Sequence, residues 1–309
     1  MKISKRVQAL LVLIVFIWPV QAVQAHERLI ILHTNDLHGR IETGENRLGM
    51  PYIAALNKYY GSRHEHVLLL DAGDTIHGRP ITDGLKGKSA VASMNAAGYE
   101  VMVPGNHDFN FGWERLLELE ADFMQFSLVA ANVFNNGELL FDPYVIKTIG
   151  DFRVGIFGLV TPETLYSTHP KNIEGIRFGE VLQAAEKYST LLREEYKTDL
   201  VVALGHIGIS DSEKIARQVE GIHLFVDGHS HTMLKQGRKV CGTLIVQAHE
   251  YGNYLGKVEI DLSKGKPVIE AKLISADEAL GLVEPDARIQ EMLEEFRAEV
   301  SRMILENHP

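Results

Sequence analysis

Short apolar runs recur along this chain, and nearly all of them are followed closely by Asp, His or Asn. The runs cover residues 29–32, 67–70, 101–103, 154–157, 200–204 and 224–226, each bounded by Gly, Asn, Asp or Pro. Uninterrupted apolar segments of this length fit strands buried on both faces of a sheet. Helical spacing appears between several of them. Residues 180–196 put Val181, Ala184, Ala185, Tyr188, Leu191 and Leu192 on one face. Shorter helices are expected at 113–119 and at 211–219, the latter with Ser210 as its cap. Strand and helix alternate, so the expected fold class is α/β with buried sheets. Residues 244–262 alternate apolar and polar around Tyr251-Gly252-Asn253, which predicts an antiparallel hairpin or bulged pair. Ile289, Met292, Leu293, Phe296, Val300 and Met303 then recur at helical spacing over residues 286–305.

The polar clusters are Asp36-Leu37-His38, Gly73-Asp74, Gly105-Asn106-His107-Asp108, Gly205-His206 and Gly228-His229-Ser230-His231, with looser ones at His77 and His249. In a twisted α/β sheet, ligands bind beyond the carboxyl ends of strands. Asp36, Asp74, Asn106, His206 and His229 all lie just past an apolar run. Asp36 and His38, like His229 and His231, are two residues apart and project from one side of an extended backbone. The glycines before Asp74, Asn106, His206 and His229 permit sharp turns and close backbone approach. Singly, such motifs cap turns or helices, and a lone His206 would be structural. Together, oxygen and imidazole groups drawn from distant points in the chain point to one metal site.

Composition narrows the setting. The 309 residues are 45% hydrophobic and 23% charged, enough for one large domain or two small ones with a sizeable core. A formal charge of -10 works against binding a nucleic-acid polymer. Bound cations would still reverse the sign locally for a small anionic substrate. Lys2, Lys5 and Arg6 precede an apolar stretch over residues 9–18, followed by Pro19 and Val23-Gln24-Ala25. That is a cleavable signal peptide, residues 1–25, with His26 as the mature N-terminus. The apolar stretch is shorter than the roughly 20 residues a membrane span needs. Export to the periplasm or medium is expected, without stable membrane insertion. Cys241 is the single cysteine, which rules out an intrachain disulfide and a thiolate metal site. Beside the apolar residues 244–246 it reads as a small core or edge residue.

As an ordered set, Asn35-Asp36-Leu37-His38-Gly39, Gly73-Asp74-Thr75-Ile76-His77-Gly78, Gly105-Asn106-His107-Asp108, Gly205-His206 and Gly228-His229-Ser230-His231 resemble the calcineurin-like metallophosphoesterase superfamily. Within it, Thr34-Asn35-Asp36-Leu37-His38-Gly39 and Val246-Gln247-Ala248-His249-Glu250-Tyr251-Gly252 are similar to the bacterial periplasmic 5'-nucleotidases. The likeness runs from about residue 28 to residue 262. It implies a four-layer α-β-β-α sandwich, two packed mixed sheets flanked by helices. Residues 26–285 would form the metallophosphoesterase catalytic domain and 286–309 a terminal helix.

The resemblance also implies two divalent ions, manganese, zinc or iron. Asp36, His38 and His231 would hold the first; Asn106, His206 and His229 the second; Asp74 would bridge them. A metal-bridging hydroxide would attack phosphorus in line, hydrolysing nucleotides or related small phosphate esters. His107 would stabilise the phosphoryl group or protonate the departing oxygen. In the nucleotidases an Asp three residues later orients this His; here that residue is Asn110, which stabilises imidazolium less than a carboxylate does. Asp108 adjoins His107, so the catalytic group is His107, Asp108 and Asn110, with the carboxylate partner left open. His77 is either support for the site or a solvated turn residue. His249 suits orienting a ligand rather than coordinating. His33, His64, His66, His169 and His223 read as structural or solvated. The family's C-terminal nucleotide-binding domain has no counterpart before Pro309. Specificity is then broad, or a separate subunit docks on the terminal helix, or the sequence is a fragment. Two rival expectations remain: a thiosulfohydrolase-like enzyme of sulfur oxidation on the same fold, and a catalytically weak metal-binding scaffold.

Overall fold

A computed structural model describes residues 28–263 and 266–307, so the expected signal peptide lies outside the described residues. The first half of the chain builds β1 (Arg28–Thr34), α1 (Gly49–Gly61), β2 (His66–Asp71), α2 (Pro80–Asp83), α3 (Lys88–Ala97), β3 (Val101–Met102), a 3₁₀ turn (Asn106–Phe111), α4 (Trp113–Asp122) and β4 (Ser127–Leu128). A small sheet and a second large one follow. Their elements are β5 (Val133–Asn135), β6 (Glu138–Leu139), β7 (Tyr144–Ile149), β8 (Phe152–Val160), α5 (Thr164–Ser167), β9 (Ile176–Phe178), α6 (Val181–Thr190), β10 (Leu200–His206), α7 (Ile209–Gln218), β11 (Leu224–Val226), β12 (Arg238–Val240) and β13 (Thr243–Val246). The chain then returns to the first sheet with β14 (Tyr254–Asp261) and β15 (Val268–Ser275), before α8 (Ala276–Leu280) and α9 (Ala287–Asn307).

Two six-stranded mixed sheets result, ordered β15-β14-β1-β2-β3-β4 and β12-β13-β11-β10-β8-β7. β1 to β4 are mutually parallel, as are β8, β10, β11 and β13. Antiparallel β14 flanks the first group; β7 and β12 flank the second. The period of two along a strand explains how the sheets stack. On β10, Leu200, Val202 and Leu204 join the core shared with the first sheet. Val201 and Ala203 face the opposite way, into a second cluster with Ala185 of α6 and Ile215 of α7. β8 divides likewise, Val154 and Ile156 inward and Phe157 and Leu159 toward the helices. With α1, α3 and α9 packed together over the first sheet, the order of layers is helix, sheet, sheet, helix.

Several local expectations are corrected. Residues 244–262 do not fold back as a hairpin. β13 pairs with β11 and β12 in the second sheet, whereas β14 pairs with β1 and β15 in the first. Alternation identifies a strand but not its partner, and the linking residues cross from one sheet to the other. The helix expected over 180–196 runs as α6 and then widens into a π turn, Leu191–Glu195. α7 starts two residues early, with Gly208 ahead of it, so Ser210 lies inside the helix. Cys241 is exposed at the turn between β12 and β13, on the sheet edge rather than in the core. On α9, Ile289, Leu293 and Val300 are buried against the protein's own domain. That packing uses most of the stripe proposed for a docking subunit; Met303 at its far end is exposed, as are Ile304 and Leu305 just beyond it. Among the described residues, no helix is long and apolar enough to cross a membrane.

Candidate metal centre

Because β1, β2, β3, β10 and β11 run parallel within their sheets, their carboxyl ends gather at one end of the sandwich. Asp36 and His38 follow β1, Asp74 follows β2, and Asn106 opens the 3₁₀ turn after β3. His206 is the last residue of β10, and His229 and His231 follow β11. The loops are tightly drawn. Asp36, His38, Asp74, His229 and His231 all have positive φ, between 46° and 75°. Such backbone is uncommon outside glycine and costs of order 1–3 kcal/mol per residue, so it persists where surrounding contacts enforce it. Gly228 shows the crowding: a Cβ there would lie 2.7 Å from the Ala72 carbonyl oxygen and 2.8 Å from His206 Nδ1.

Five of the seven expected ligands converge around two buried carboxylates. Asp74 Oδ2 lies 3.7 Å from His38 Nε2 and 3.2 Å from His206 Nε2. Asp36 Oδ1 lies 3.3 Å from His231 Nε2 and 3.9 Å from His206 Nε2. His38 and His231 approach each other, Nε2 to Nε2, at 3.2 Å. Asn106 and His229 form an adjoining pair, with Oδ1 and Nδ1 3.0 Å apart. The His229 ring is 5.2 Å from that of His206.

The hydrogen bonds behind these rings decide which nitrogens face inward. His206 Nδ1 donates to the Ala72 carbonyl at 2.6 Å, so a neutral ring turns its Nε2 lone pair toward Asp74. That buried nitrogen has no hydrogen-bond partner. His231 Nδ1 pairs with Glu250, directing its Nε2 at Asp36 and His38. His229 Nε2 is 2.9 Å from Glu163 Oε2, leaving Nδ1 for the interior. Lone pairs thus face lone pairs and carboxylates, an arrangement that needs a proton or a cation between them. Burial opposes a charged His206, but Asp74 and Asp36 overcome it and raise the group to about 10. Burial likewise opposes ionised Asp74, and His206 overrides it, holding the carboxyl below its ordinary range. At His38 burial wins, lowering the ring to about 4 despite both carboxylates. Buried oxygen and imidazole donors with this polarity fit divalent cations.

The residues beyond Asn106 divide by the geometry of their turn. In a 3₁₀ turn residues i and i+3 eclipse. His107 Nδ1 accordingly meets the Asn110 side-chain amide at 2.9 Å. The same amide reaches His77 Nδ1 at 3.2 Å, and the His77 and His107 rings stack at 6.1 Å. Asp108 points elsewhere. Its carboxylate accepts four backbone N–H bonds of 2.8–2.9 Å, from Asp74, Thr75, Ile76 and Gly105. It ties the loop after β2 to the loop after β3. Burial, with Asp74 nearby, raises Asp108 to about 6.

Other expected residues sit farther out. The His249 backbone carbonyl accepts from Asn35 Nδ2, while its ring packs 6.2 Å from Tyr254. Buried His33 is lowered to about 3 by burial, and His223 Nδ1 accepts from Val201 N at 3.0 Å. Sequence reasoning missed Glu163, Glu250 and Tyr251 as parts of the site. Tyr251 packs edge-on against His38 and His231, with the Arg40 guanidinium 3.4 Å from its ring centre. Glu250 and Tyr251 follow His249 directly and were open to discovery there. Glu163 carried no signal at all.

The comparisons with known proteins agree with this architecture. The family profile of calcineurin-like phosphoesterases matches residues 29–233. A snake venom 5'-nucleotidase from Gloydius brevicauda is 30% identical over 91% of this chain and 52% of its own length. The chain spans about half the length of the curated relatives it matches. The crystal structure of a 5'-nucleotidase precursor from Thermus thermophilus superposes with a TM-score of 0.77 at 28% identity, over 90% of this chain and 60% of that one. The sulfate thiohydrolase SoxB of Thermus thermophilus shares the fold, with a TM-score of 0.80 at 21% identity over 88% of this chain and 60% of that one. By its matched profile and its relatives, the chain belongs to the calcineurin-like phosphoesterase family.

Proposed function

We propose that the protein is a 5'-nucleotidase-like hydrolase, removing phosphate from nucleotides or related small phosphate esters with two divalent cations. The observation that carries this is Asp74, a buried carboxylate lying between the inward lone pairs of His38 and His206. Asp36, His38 and His231 would hold one ion, Asn106, His206 and His229 the other, with Asp74 shared. Bound there, the cations would acidify a water and neutralise charge on the phosphoryl oxygens. Manganese, iron and zinc all suit carboxylate, amide and imidazole donors.

The chain's own residues do the rest. The His107 ring lies 5.2 Å from that of His38, at the edge of the cluster. With Nδ1 engaged by Asn110, its Nε2 edge is the one available to a phosphoryl or departing oxygen. Asn110 orients that ring and shares its amide with His77. Asp108 serves by fixing the two loops that carry Asp74 and Asn106. Glu163 and Glu250 orient His229 and His231 from behind, as carboxylates behind metal-bound histidines do. Export through the leader at residues 1–25 would put the enzyme in the periplasm or outside the cell. A thiosulfohydrolase is the less favoured reading, because the likeness to SoxB is one of fold.

Purified mature protein with manganese would be offered nucleoside monophosphates, 2',3'-cyclic nucleotides, UDP-sugars and p-nitrophenyl phosphate. Phosphate release is expected from at least one class, and its loss in folded Asp74→Asn and His206→Ala variants. Release from none, with metal bound, would reject the proposal.

A further inference from the structure

Residues 161–168 are fastened to Asn106, His206 and His229, the three ligands proposed for the second ion alone. Thr161 N donates to the His206 carbonyl at 2.9 Å. Glu163 Oε2 meets His229 Nε2 at 2.9 Å, and Thr168 Oγ1 donates to the Asn106 carbonyl at 2.7 Å. Thr164 Oγ1 closes the turn internally on the Thr161 carbonyl at 2.7 Å. A segment held at three points over the ion site has little freedom to tuck its side chains away. Yet Tyr166, between those ties, is 90% exposed, and its neighbour Leu165 is 40% exposed.

An aromatic ring left in water on a fastened rim forgoes the burial that makes tyrosine energetically useful, since such rings bury 150–250 Å² when packed. Its position relative to the ions follows from the turn. Glu163 and Tyr166 are three residues apart, with Tyr166 N bonded to the Glu163 carbonyl at 2.8 Å. Residues so spaced share a helix face, their Cβ atoms about 5–6 Å apart. Tyr166 therefore stands one turn beyond the carboxylate that touches His229, on the same side.

We propose that Tyr166 is a specificity-determining residue whose ring stacks on the base of a bound nucleotide. The inference rests on the nucleotidase reading of the centre. With phosphate at the ions, the sugar spans the distance over Glu163 and the base reaches the rim. Every nucleobase has a π-face, so one tyrosine favours nucleotides over baseless phosphates without selecting a particular base. No other part of the substrate offers a flat apolar surface to match the ring. His169 and Lys171, three and five residues further on, are exposed as well.

The test compares AMP with ribose 5-phosphate, which lacks the base, in the manganese-loaded wild type, Tyr166→Ala and Tyr166→Phe. Stacking contributions measured by alanine substitution correspond to roughly five- to a hundredfold in affinity. Tyr166→Ala is expected to raise KM for AMP by about tenfold or more relative to ribose 5-phosphate, with kcat little changed, and Tyr166→Phe to restore it. An equal effect on both substrates, or on neither, would overturn the proposal. Calorimetric titration of AMP into the same proteins separates this from the hydrolytic reading. AMP binding weakened tenfold by Tyr166→Ala, without phosphate release from AMP by the wild type, would uphold stacking and reject hydrolysis of AMP. AMP binding equally well to wild type and Tyr166→Ala would reject stacking alone.

Discussion

Glu250 and Glu163 stand behind histidines proposed to hold different ions, and their surroundings differ enough to predict unequal effects. Glu250 touches His231 with its side chain 23% exposed, whereas Glu163 touches His229 with 73% exposed. Substitution by Gln keeps the size and removes the charge. A hydrogen bond to a charged group shielded from water contributes about 1.5–3 kcal/mol. An exposed ion pair contributes about 0.2–1 kcal/mol. With tenfold in affinity for every ~1.4 kcal/mol, Glu250→Gln should weaken the ion at Asp36, His38 and His231 by roughly ten- to a hundredfold. Glu163→Gln should weaken the ion at Asn106, His206 and His229 by less than about fivefold. Titration calorimetry of manganese into metal-free protein resolves the two binding steps. The variants should act on different steps. Equal losses, or both variants acting on one step, would refute the pairing of each carboxylate with its own ion.

Two further predictions concern stability. Asp108→Ala leaves four buried backbone N–H groups without an acceptor. Allowing for relief of the buried carboxylate, the loss is roughly 5 kcal/mol, read as a lower thermal midpoint of metal-free protein at pH 7; unchanged stability would mean the loops are held by something else. Burial and nearby Asp142 raise Glu120 to about 7 from an ordinary 4.5, so the folded state holds that proton more tightly than the unfolded chain. Glu120 therefore detracts from stability increasingly as pH rises from 4.5 through 7. Glu120→Gln should raise Tm at pH 8 and leave it unchanged near pH 4.5; an equal gain at both would contradict this origin.

What the sequence disclosed follows from how parallel strands are buried. Strands covered on both faces read as unbroken apolar runs, so the polar residues closing them stand out. Asp36, Asp74, Asn106, His206 and His229 were found that way, and the family resemblance ordered them. Side-chain direction was harder. Asp108 adjoins His107 in sequence, yet in a 3₁₀ turn adjacent side chains diverge, and Asn110 is the residue that comes round beside the ring. The link between β13 and β14 was misread because a two-residue period carries no information about partners. Gln247 Nε2 donates to the Gly228 carbonyl, while Tyr251 N donates to the Asp36 carbonyl, so the segment belongs to both sheets. Glu163 and Tyr166 lie on or beside a helix of four residues, too short for any periodic signal. The segment is placed by contacts more than sixty residues away in sequence, Glu163 to His229 and Thr168 to Asn106.

Diffraction from manganese-loaded crystals, with data recorded across the manganese absorption edge, tests the central claim most directly. The expected map holds two anomalous peaks, both in contact with the Asp74 carboxylate. One would be ringed by Asp36, His38 and His231, the other by Asn106, His206 and His229. A single peak, or two peaks that leave Asp74 uncoordinated, would contradict the assignment of these strand-end loops as one two-metal centre.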